Sequence, residues 1–374
     1  MQYTQLGRTG NRVSRLGFGS MRLPMIEIGG AQYVDVEKAT AVIHRALELG
    51  VNYIDTGMMY DNEEGELVVG SALEQWPRRD EVIVAAKCTK FRAKAPGDLR
   101  RCLEHQLWKQ RRDSFHIYMF HGIGYDNWHE IDAATGWIAD MARAKEEGLV
   151  EHIGFSFHDK PEAMMRLVDE GIFDLVTCQY NYLDRANEEA ITYAAEKGLG
   201  VVIMGPVGGG RLAVVPKGVR EASELSVANA AELAIRFVLA HPGVHVALSG
   251  MGSIDMVEQN VAAVDKGPLS KAEVATINTM MDRNRELARL YCTGCRYCMP
   301  CPNDVEIPQV FEMVNYYRVY GMEEHALAGY ARLVANGHDA AKCISCGECL
   351  TKCPQNIAIP EQLREAAELL AAGS

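Results

Sequence analysis

The sequence predicts an α/β chain: a closed (β/α)8 barrel followed by a smaller, mostly helical domain. Three observations carry this. Over residues 1–285, eight short β-branched runs alternate with amphipathic segments of helical period. Repeated βα units imply parallel strands, and at this length closure into a TIM barrel is favoured over an open doubly wound sheet. No Gly-x-Gly-x-x-Gly follows the first strand, as a doubly wound dinucleotide fold would require; Gly17-Phe-Gly19 runs instead into Ser20-Met21-Arg22-Leu23-Pro24. Finally, eight of the eleven cysteines fall in two tight runs beyond residue 290, which sets 286–374 apart as a second domain.

The elements follow in order. Tyr3–Leu6 and Arg12–Ser14, separated by Gly-Arg-Thr-Gly-Asn11, read as an opening hairpin. The barrel strands are expected at Arg15–Gly19, Asn52–Asp55, Val82–Lys87, Phe115–Phe120, His152–Ser156, Leu175–Gln179, Val201–Met204 and Val246–Ser249. Helical period marks Glu37–Leu49, Leu67–Gln75, Leu99–Gln110, Ala134–Glu147, Glu162–Glu170, Asn187–Lys197 and Asn229–Ala240. Gly50, Gly148, Gly171 and Gly198 supply C-cap signals. Leu23–Val36 and Gly122–Glu130 read as long loops, and residues 266–289 as the last barrel helix with its link onward. In the second domain, helices are expected at Gln309–Tyr320, Glu323–Ala335 and, behind Pro360, Glu361–Ala371.

Composition narrows the function classes. The net charge of −12 opposes a nucleic-acid backbone as partner. The start, Met1-Gln-Tyr-Thr-Gln-Leu-Gly, lacks an apolar secretion segment, and no apolar run approaches the roughly 20 residues of a membrane helix. A cytoplasmic, reducing setting is expected, with neither nucleic acid nor membrane as partner.

The first cysteine run places Cys292, Cys295, Cys298 and Cys301 ahead of Pro302; the second places Cys343, Cys346, Cys349 and Cys353 ahead of Pro354. Two residues between cysteines let one curled loop aim three thiolates at a 4Fe–4S cube, with the fourth taken from the partner run. The second run has the bacterial spacing in full; the first has two residues rather than three before its last cysteine. Zinc also favours such pairs. A disulfide framework is the remaining alternative, but it suits small secreted domains. Two 4Fe–4S clusters are therefore expected, in a helical ferredoxin-like domain. Cys88, Cys102 and Cys178 read as small buried hydrophobes.

In an α/β barrel, the C-terminal ends of the strands converge on one mouth. Asp55, Lys87 and His121 end apolar strands, and Tyr60 follows Asp55 by five residues. A lysine and an aspartate on such strands are costly unless paired. An ammonium beside a phenol favours the phenolate and lowers its pKa from about 10. A tyrosine tuned this way can give a proton to a carbonyl oxygen or take one back. His121 could hold that oxygen.

At these four residues the sequence resembles the aldo-keto reductases: Asp55, Tyr60, Lys87 and His121 match the family's catalytic tetrad in type, order and strand position. The resemblance spans residues 1–285, and with the cysteine runs the chain looks like the subgroup carrying a C-terminal 4Fe–4S ferredoxin-like domain. It implies a nicotinamide-dependent oxidoreductase that interconverts an aldehyde, ketone or sugar carbonyl with its alcohol, Tyr60 being the acid/base. It also implies cofactor contacts. Gly19, Ser20 and Met21 match the turn after strand one, and Asp55 adjoins the same groove. Ser156 and Gln179 match the carboxamide partners, although Phe157 stands where the family usually has Asn. Met204 replaces a common stacking Tyr, while Gly205, Pro206, Gly208 and Gly210, before Arg211, match a pyrophosphate-wrapping loop. Gly250, Met251, Gly252, Gln259 and Asn260 match the adenosine side. Between Gly250 and Asn260 there is no basic residue, and Asp255 and Glu258 are acidic, so NAD(H) is expected over NADP(H). Tyr33, Tyr125, Trp128 and His158 are candidate substrate-pocket walls. The ferredoxin-like domain admits a second class: an iron–sulfur electron-transfer protein whose barrel docks a redox partner or senses nicotinamide. A homo-oligomer is compatible with the sequence.

Overall fold

The run Ile83–Thr89 is apolar on both faces except for its lysine and threonine, and all its residues are buried. This is how a strand between a packed barrel interior and covering helices reads. In the computed structural model, which describes residues 1–208, 227–283, 292, 294–318 and 323–371, eight such strands close a parallel barrel. They are β3 (Leu16–Gly19), β6 (Tyr53–Asp55), β7 (Ile83–Thr89), β8 (Phe115–Ile123), β9 (Val150–Phe157), β10 (Leu175–Gln179), β11 (Gly200–Met204) and β12 (Val246–Gly250). β12 pairs back with β3, Gly250 opposite Gly19, which closes the ring. The chain enters through the antiparallel hairpin of β1 (Tyr3–Gln5) and β2 (Arg12–Ser14). That hairpin plugs one end: Leu6 and Val13 pack with Tyr53, Ile83, Ile117, Leu175, Val202 and Val246.

Helices α1 (Val36–Glu48), α2 (Gly65–Glu74), α3 (Asp98–Gln110), α4 (Tyr125–Thr135), α5 (Trp137–Glu146), α6 (Pro161–Asp169) and α7 (Glu188–Glu196) follow the strands, and Ala230–Ala240 and Ile254–Asp265 follow β11 and β12. Outside β8, Phe120 stacks on Trp137 at 5.1 Å and meets Trp128 edge-on at 4.7 Å, with both tryptophans fully buried. Each such ring contributes several kcal/mol through burial, plus about 1 kcal/mol from ring geometry.

Three expectations need correction. Gly122–Glu130 is not a loop: α4 begins at Tyr125, with the Gly124 amide donating to Asn127 Oδ1 at 3.0 Å, and a break at Gly136 (φ 68°) separates it from α5. The loop Leu23–Val36 contains a hairpin of β4 (Met25–Ile28) and β5 (Ala31–Val34). Gly29 and Gly30, at φ 61° and 82°, supply the tight turn that its strand twist favours. The helix after β12 is Ile254–Asp265, N-capped by Ser253 Oγ accepting from the Met256 amide at 3.3 Å; Lys271–Arg283 is a separate helix after it. The expected last barrel helix at 266–289 therefore starts one helix too late: the Ser253 cap marks a helix over Ile254–Asp265 that the expectation omits.

The chain divides into two compact units. Met1–Tyr180, Ala186–Pro206 and Ile235–Leu269 form one; Asn181–Arg185, Val207–Ala234 and Ser270–Ser374 form the other. In the second, helices Ile307–Arg318, Glu323–Ala335 and Ile359–Ala371 pack around Phe311, Val314, Tyr330 and Leu363. Pro308 and Pro360 lie in the first turns of their helices, where a missing amide hydrogen costs nothing. Among the described residues, no helix is long and apolar enough to cross a membrane.

Candidate active site

Side chains alternate along a strand, so Ala85 and Lys87 share the face of β7 that looks into the barrel, and Lys87 lies near its C-terminal end. The Lys87 ammonium is 2% exposed. It donates to Asp55 Oδ1, to the Thr56 carbonyl at 3.0 Å and to Tyr60 Oη at 3.2 Å. An ammonium has three hydrogens, and these three acceptors take them all. Asp55 comes from β6, at the rung where Gly250, Gly19 and Asp55 stand side by side. Burial raises the Asp55 carboxyl, and the Lys87 charge opposes that rise.

Tyr60 is fixed by its backbone. Its amide donates to the Gly57 carbonyl at 3.1 Å, and its ring lies over Gly57, where a Cβ would approach Tyr60 Cζ to 3.0 Å. The next three residues, Asp61, Asn62 and Glu63, have φ of 48°, 58° and 70°. Left-handed conformations outside glycine are strained and gather at functional sites. The strain is held by Asn62 Nδ2 donating to the Gln32 carbonyl at 3.0 Å and Glu64 Oε2 accepting the Val34 amide at 2.7 Å.

His121 shares the inward face of β8 with Ile117 and Met119, and a bulge follows it. β8 and β9 pair in register to Phe120 opposite Phe155, and the next rung is Ile123 opposite Phe157; the extra residue falls at His121–Gly122. Gly122 has φ 68°, and its amide donates to Ser156 Oγ at 2.8 Å. Bulges of this kind gather beside functional sites. The His121 ring meets Tyr60 edge-on at 5.9 Å. Burial, then the Lys87 charge, then His158 push its pKa well below the ordinary value, so the imidazole is neutral. His158, one residue past β9, is likewise held down, to about 4, by burial and Lys87.

The structure thus brings together Asp55, Tyr60, Lys87, His121 and His158. Ser156 and Gln179, both buried, occupy inward positions on β9 and β10 near the same strand ends. Gly205, at φ 64°, lies against the Gln179 amide: a Cβ there would come within 2.4 Å of Gln179 Nε2. Met204 packs at the edge of the barrel interior. Ser20 and Met251 are buried, and Gln259 is exposed on its helix. Asn260 is turned inward, its Nδ2 donating to Ser249 Oγ at 3.1 Å. Gly210 lies outside the described residues. Trp128 is a core residue behind β8 rather than a pocket wall, and Tyr125 carries Arg166 over its ring at 3.5 Å.

Two residues escaped the sequence reading. Arg22 packs against Gly250, where a Cβ would meet Arg22 Cγ at 2.8 Å, which brings a basic residue to the exit of β12. Arg45 reaches Glu258 at 2.8 Å from α1. Neither is near residue 250 in sequence, so no local signal marks them.

In the second unit the eight thiols form two crossed sets. Cys298 is pushed up to about 12, first by burial and then by Cys292, Cys295 and Cys353 around it. Cys349 is raised by burial and by Cys343, Cys346 and Cys301. Each set takes three cysteines from one run and the proline-preceding cysteine of the other. Four thiolates cannot converge in a partly buried site without cations to balance them, so the donor sets fit iron–sulfur clusters. A cavity lined by Cys301, Cys343, Cys346 and Cys349 of the second set, and bordered by Cys298 of the first, lies between the cysteine runs. Among the described residues, no three of His, Cys, Asp or Glu gather closely enough to hold one metal ion.

Comparison with known proteins agrees with this geometry. The model of the aldo/keto reductase family matches residues 15–282, and that of the 4Fe–4S dicluster domain matches 291–358. L-galactose dehydrogenase of Arabidopsis thaliana is 29% identical over 284 residues, covering 69% of this chain and 86% of its own. NADH-specific methylglyoxal reductase of Escherichia coli is 26% identical over 330 residues, covering 75% and 99%. The structure of an aldo-keto reductase from Bacillus halodurans in its holo form superposes with a TM-score of 0.64 at 29% identity, covering 75% of this chain and 96% of that one. The chain is an oxidoreductase of the aldo/keto reductase family, in the form that carries a C-terminal 4Fe–4S ferredoxin-like domain.

Proposed function

We propose that this protein interconverts a small aldehyde, ketone or sugar carbonyl with its alcohol, dependent on a nicotinamide dinucleotide and with Tyr60 as the proton donor and acceptor. One observation carries the reading: Lys87 Nζ lies 3.2 Å from Tyr60 Oη while Asp55 and the Thr56 carbonyl hold it from behind. A fixed ammonium at that distance favours phenolate character, which suits a group that must release a proton and recover it. The neutral His121 ring, edge-on to Tyr60, is assigned the role of hydrogen-bonding the carbonyl oxygen, and it adds no charge of its own. Inward-facing Ser156 keeps its hydroxyl hydrogen to donate, because its oxygen accepts from Gly122, and with Gln179 it suits a carboxamide. When bound, the nicotinamide supplies or takes up the hydride. NAD(H) is favoured over NADP(H), because Asp255 and Glu258 are exposed beyond β12 and Arg45 is engaged by Glu258.

Two 4Fe–4S clusters are assigned, one to Cys292, Cys295, Cys298 and Cys353, the other to Cys343, Cys346, Cys349 and Cys301, within a domain placed at 286–374 after a barrel of 1–285. Thiolate-bound iron calls for a reducing compartment, the cytoplasm. The clusters are assigned a structural role, since hydride moves two electrons and each cluster passes one. A second reading, electron exchange with a redox protein, is favoured by one feature: Cys346 is exposed.

The test uses anaerobically purified protein. NADH and NADPH affinities are measured by fluorescence, and a panel containing methylglyoxal, simple ketones and aldoses is screened in both directions. Tyr60→Phe should keep cofactor affinity and lose turnover; turnover at the wild-type rate would falsify the assigned acid.

A further inference from the structure

Behind Lys87, outside the barrel, lies a buried polar network that the proposed chemistry does not use. Gln106 on α3 is fully buried; its Nε2 donates to the Lys87 carbonyl at 3.1 Å and also to Glu66 Oε1. Its Oε1 accepts from Tyr118 Oη at 2.6 Å. Glu66 on α2 is 1% exposed and takes a further hydrogen bond from Gln110 Nε2 at 3.2 Å. Lys109 Nζ stands 3.7 Å from Glu66 Oε2 and donates to the Glu63 carbonyl at 3.3 Å. Glu63 ends the left-handed run that begins just after Tyr60.

We propose that Glu66 and Gln106 are positioning residues that set the Lys87–Tyr60 separation by tying the two backbones to one rigid network. The proposal rests on the reading of Tyr60 as the acid/base. The path is continuous: Lys87 carbonyl, Gln106, Glu66, Lys109, Glu63 carbonyl. Lys87 and Tyr60 come from different elements, β7 and the loop after β6, so their separation depends on how the two backbones are held together as well as on the bonds at the ammonium. The strained segment from 61 to 63 needs an external hold, and the Lys109 bond supplies one at its last residue. A carboxylate used merely to join α2 to α3 would be a costly choice, since burying a charge is unfavourable unless it is fully paired. Nor would such a joint need bonds to the main chain at Lys87 and Glu63. Lys109, Tyr118, Cys88 and Cys102 are the titratable groups that face this carboxylate or its partners.

The first measurement reads Tyr60 directly, without a substrate. Alkaline difference absorbance near 295 nm is recorded for the holoprotein, with Tyr60→Phe as the reference that isolates the Tyr60 signal. Gln106→Leu cuts the network at Lys87, Lys109→Met cuts it at Glu63, and Glu66→Gln keeps the shape but removes the charge. In Gln106→Leu, which changes no charge, the Tyr60 midpoint should move upward by about one pH unit; lost charge alone would raise it in Lys109→Met and lower it in Glu66→Gln, so the positioning role requires an upward shift in Glu66→Gln as well. NADH affinity should stay within about twofold, and kcat should fall roughly tenfold or more. If the Tyr60 midpoint stays at the wild-type value in the variants that fold while their thermal stability drops, the network only supports the core and the proposal is wrong. If Gln106→Leu does not fold, Lys109→Met and Glu66→Gln decide the matter by the same midpoint. If Tyr60→Phe retains turnover, the acid assignment fails, whereas the midpoints still judge the network.

Discussion

Replacing Lys87 by methionine is a quantitative test of the buried ion pair. The side chains of Lys87 and Asp55 are 2% and 3% exposed. Without the ammonium, the Asp55 carboxylate stays buried with no counter-charge, and the Thr56 carbonyl loses its 3.0 Å donor. Removing one partner of a buried pair costs about 3–5 kcal/mol, and an orphaned carbonyl adds about 1 kcal/mol. A domain of ordinary stability has about 5–15 kcal/mol in all, so Lys87→Met should bring the barrel close to unfolding. Asp55→Asn/Lys87→Met removes both charges and should recover half or more of the loss. All four tryptophans, Trp76, Trp108, Trp128 and Trp137, lie in the barrel part of the chain, so guanidinium unfolding followed by their fluorescence reads that part. A cost below about 1 kcal/mol for Lys87→Met, the range of exposed pairs, would refute the reasoning. So would a double variant whose loss is the sum of the single losses.

The Asp61 carboxyl is raised from 3.8 to about 6, chiefly by burial. Between those pH values the folded chain holds a proton that the unfolded chain has released, so stability declines as pH rises through the window, and the penalty is complete above about pH 6. Asp61→Asn should therefore change nothing near pH 3.5 and stabilise by about 1–2 kcal/mol at pH 7.5, a figure discounted for partial exposure; urea midpoints at both pH values check it. The left-handed φ of 48° also suits Asn. In the second unit, Cys298→Ser removes a thiolate that sits in the helical core, and acid-labile sulfide should fall by about half relative to wild type. An unchanged sulfide content means that Cys298 is not a ligand.

The barrel was legible because its strands carry two signals at once, apolar runs and polar residues at their ends. Lys87 and Asp55 stand out against such runs, and their pairing follows from cost alone. The cysteine runs were legible because a ligand loop is local in sequence, and the crossing of Cys301 and Cys353 follows from the proline that succeeds each. What escaped was either masked by mixed composition or assembled across the fold. The helix Tyr125–Thr135 carries a polar face that gives the mixed composition of a loop, although Gly124 and Asn127 mark its start. Gly29-Gly30 is the local signal of the hairpin within Leu23–Val36, a signal that length alone hides in a long loop. The bulge at Gly122 depends on pairing between β8 and β9, and the Gln106–Glu66 network joins residues 40 apart in sequence. No single-segment period reveals either.

The central claim is direct hydride delivery to a carbonyl carbon beside Tyr60, with the iron–sulfur domain outside the turnover path. Reduction of an accepted carbonyl with deuterium-labelled NADH under anaerobic conditions tests it most directly. The account predicts one deuterium per product molecule, on the former carbonyl carbon, at the same yield whether the clusters begin oxidised or reduced. Product lacking deuterium, formed only while the clusters change redox state, would contradict it.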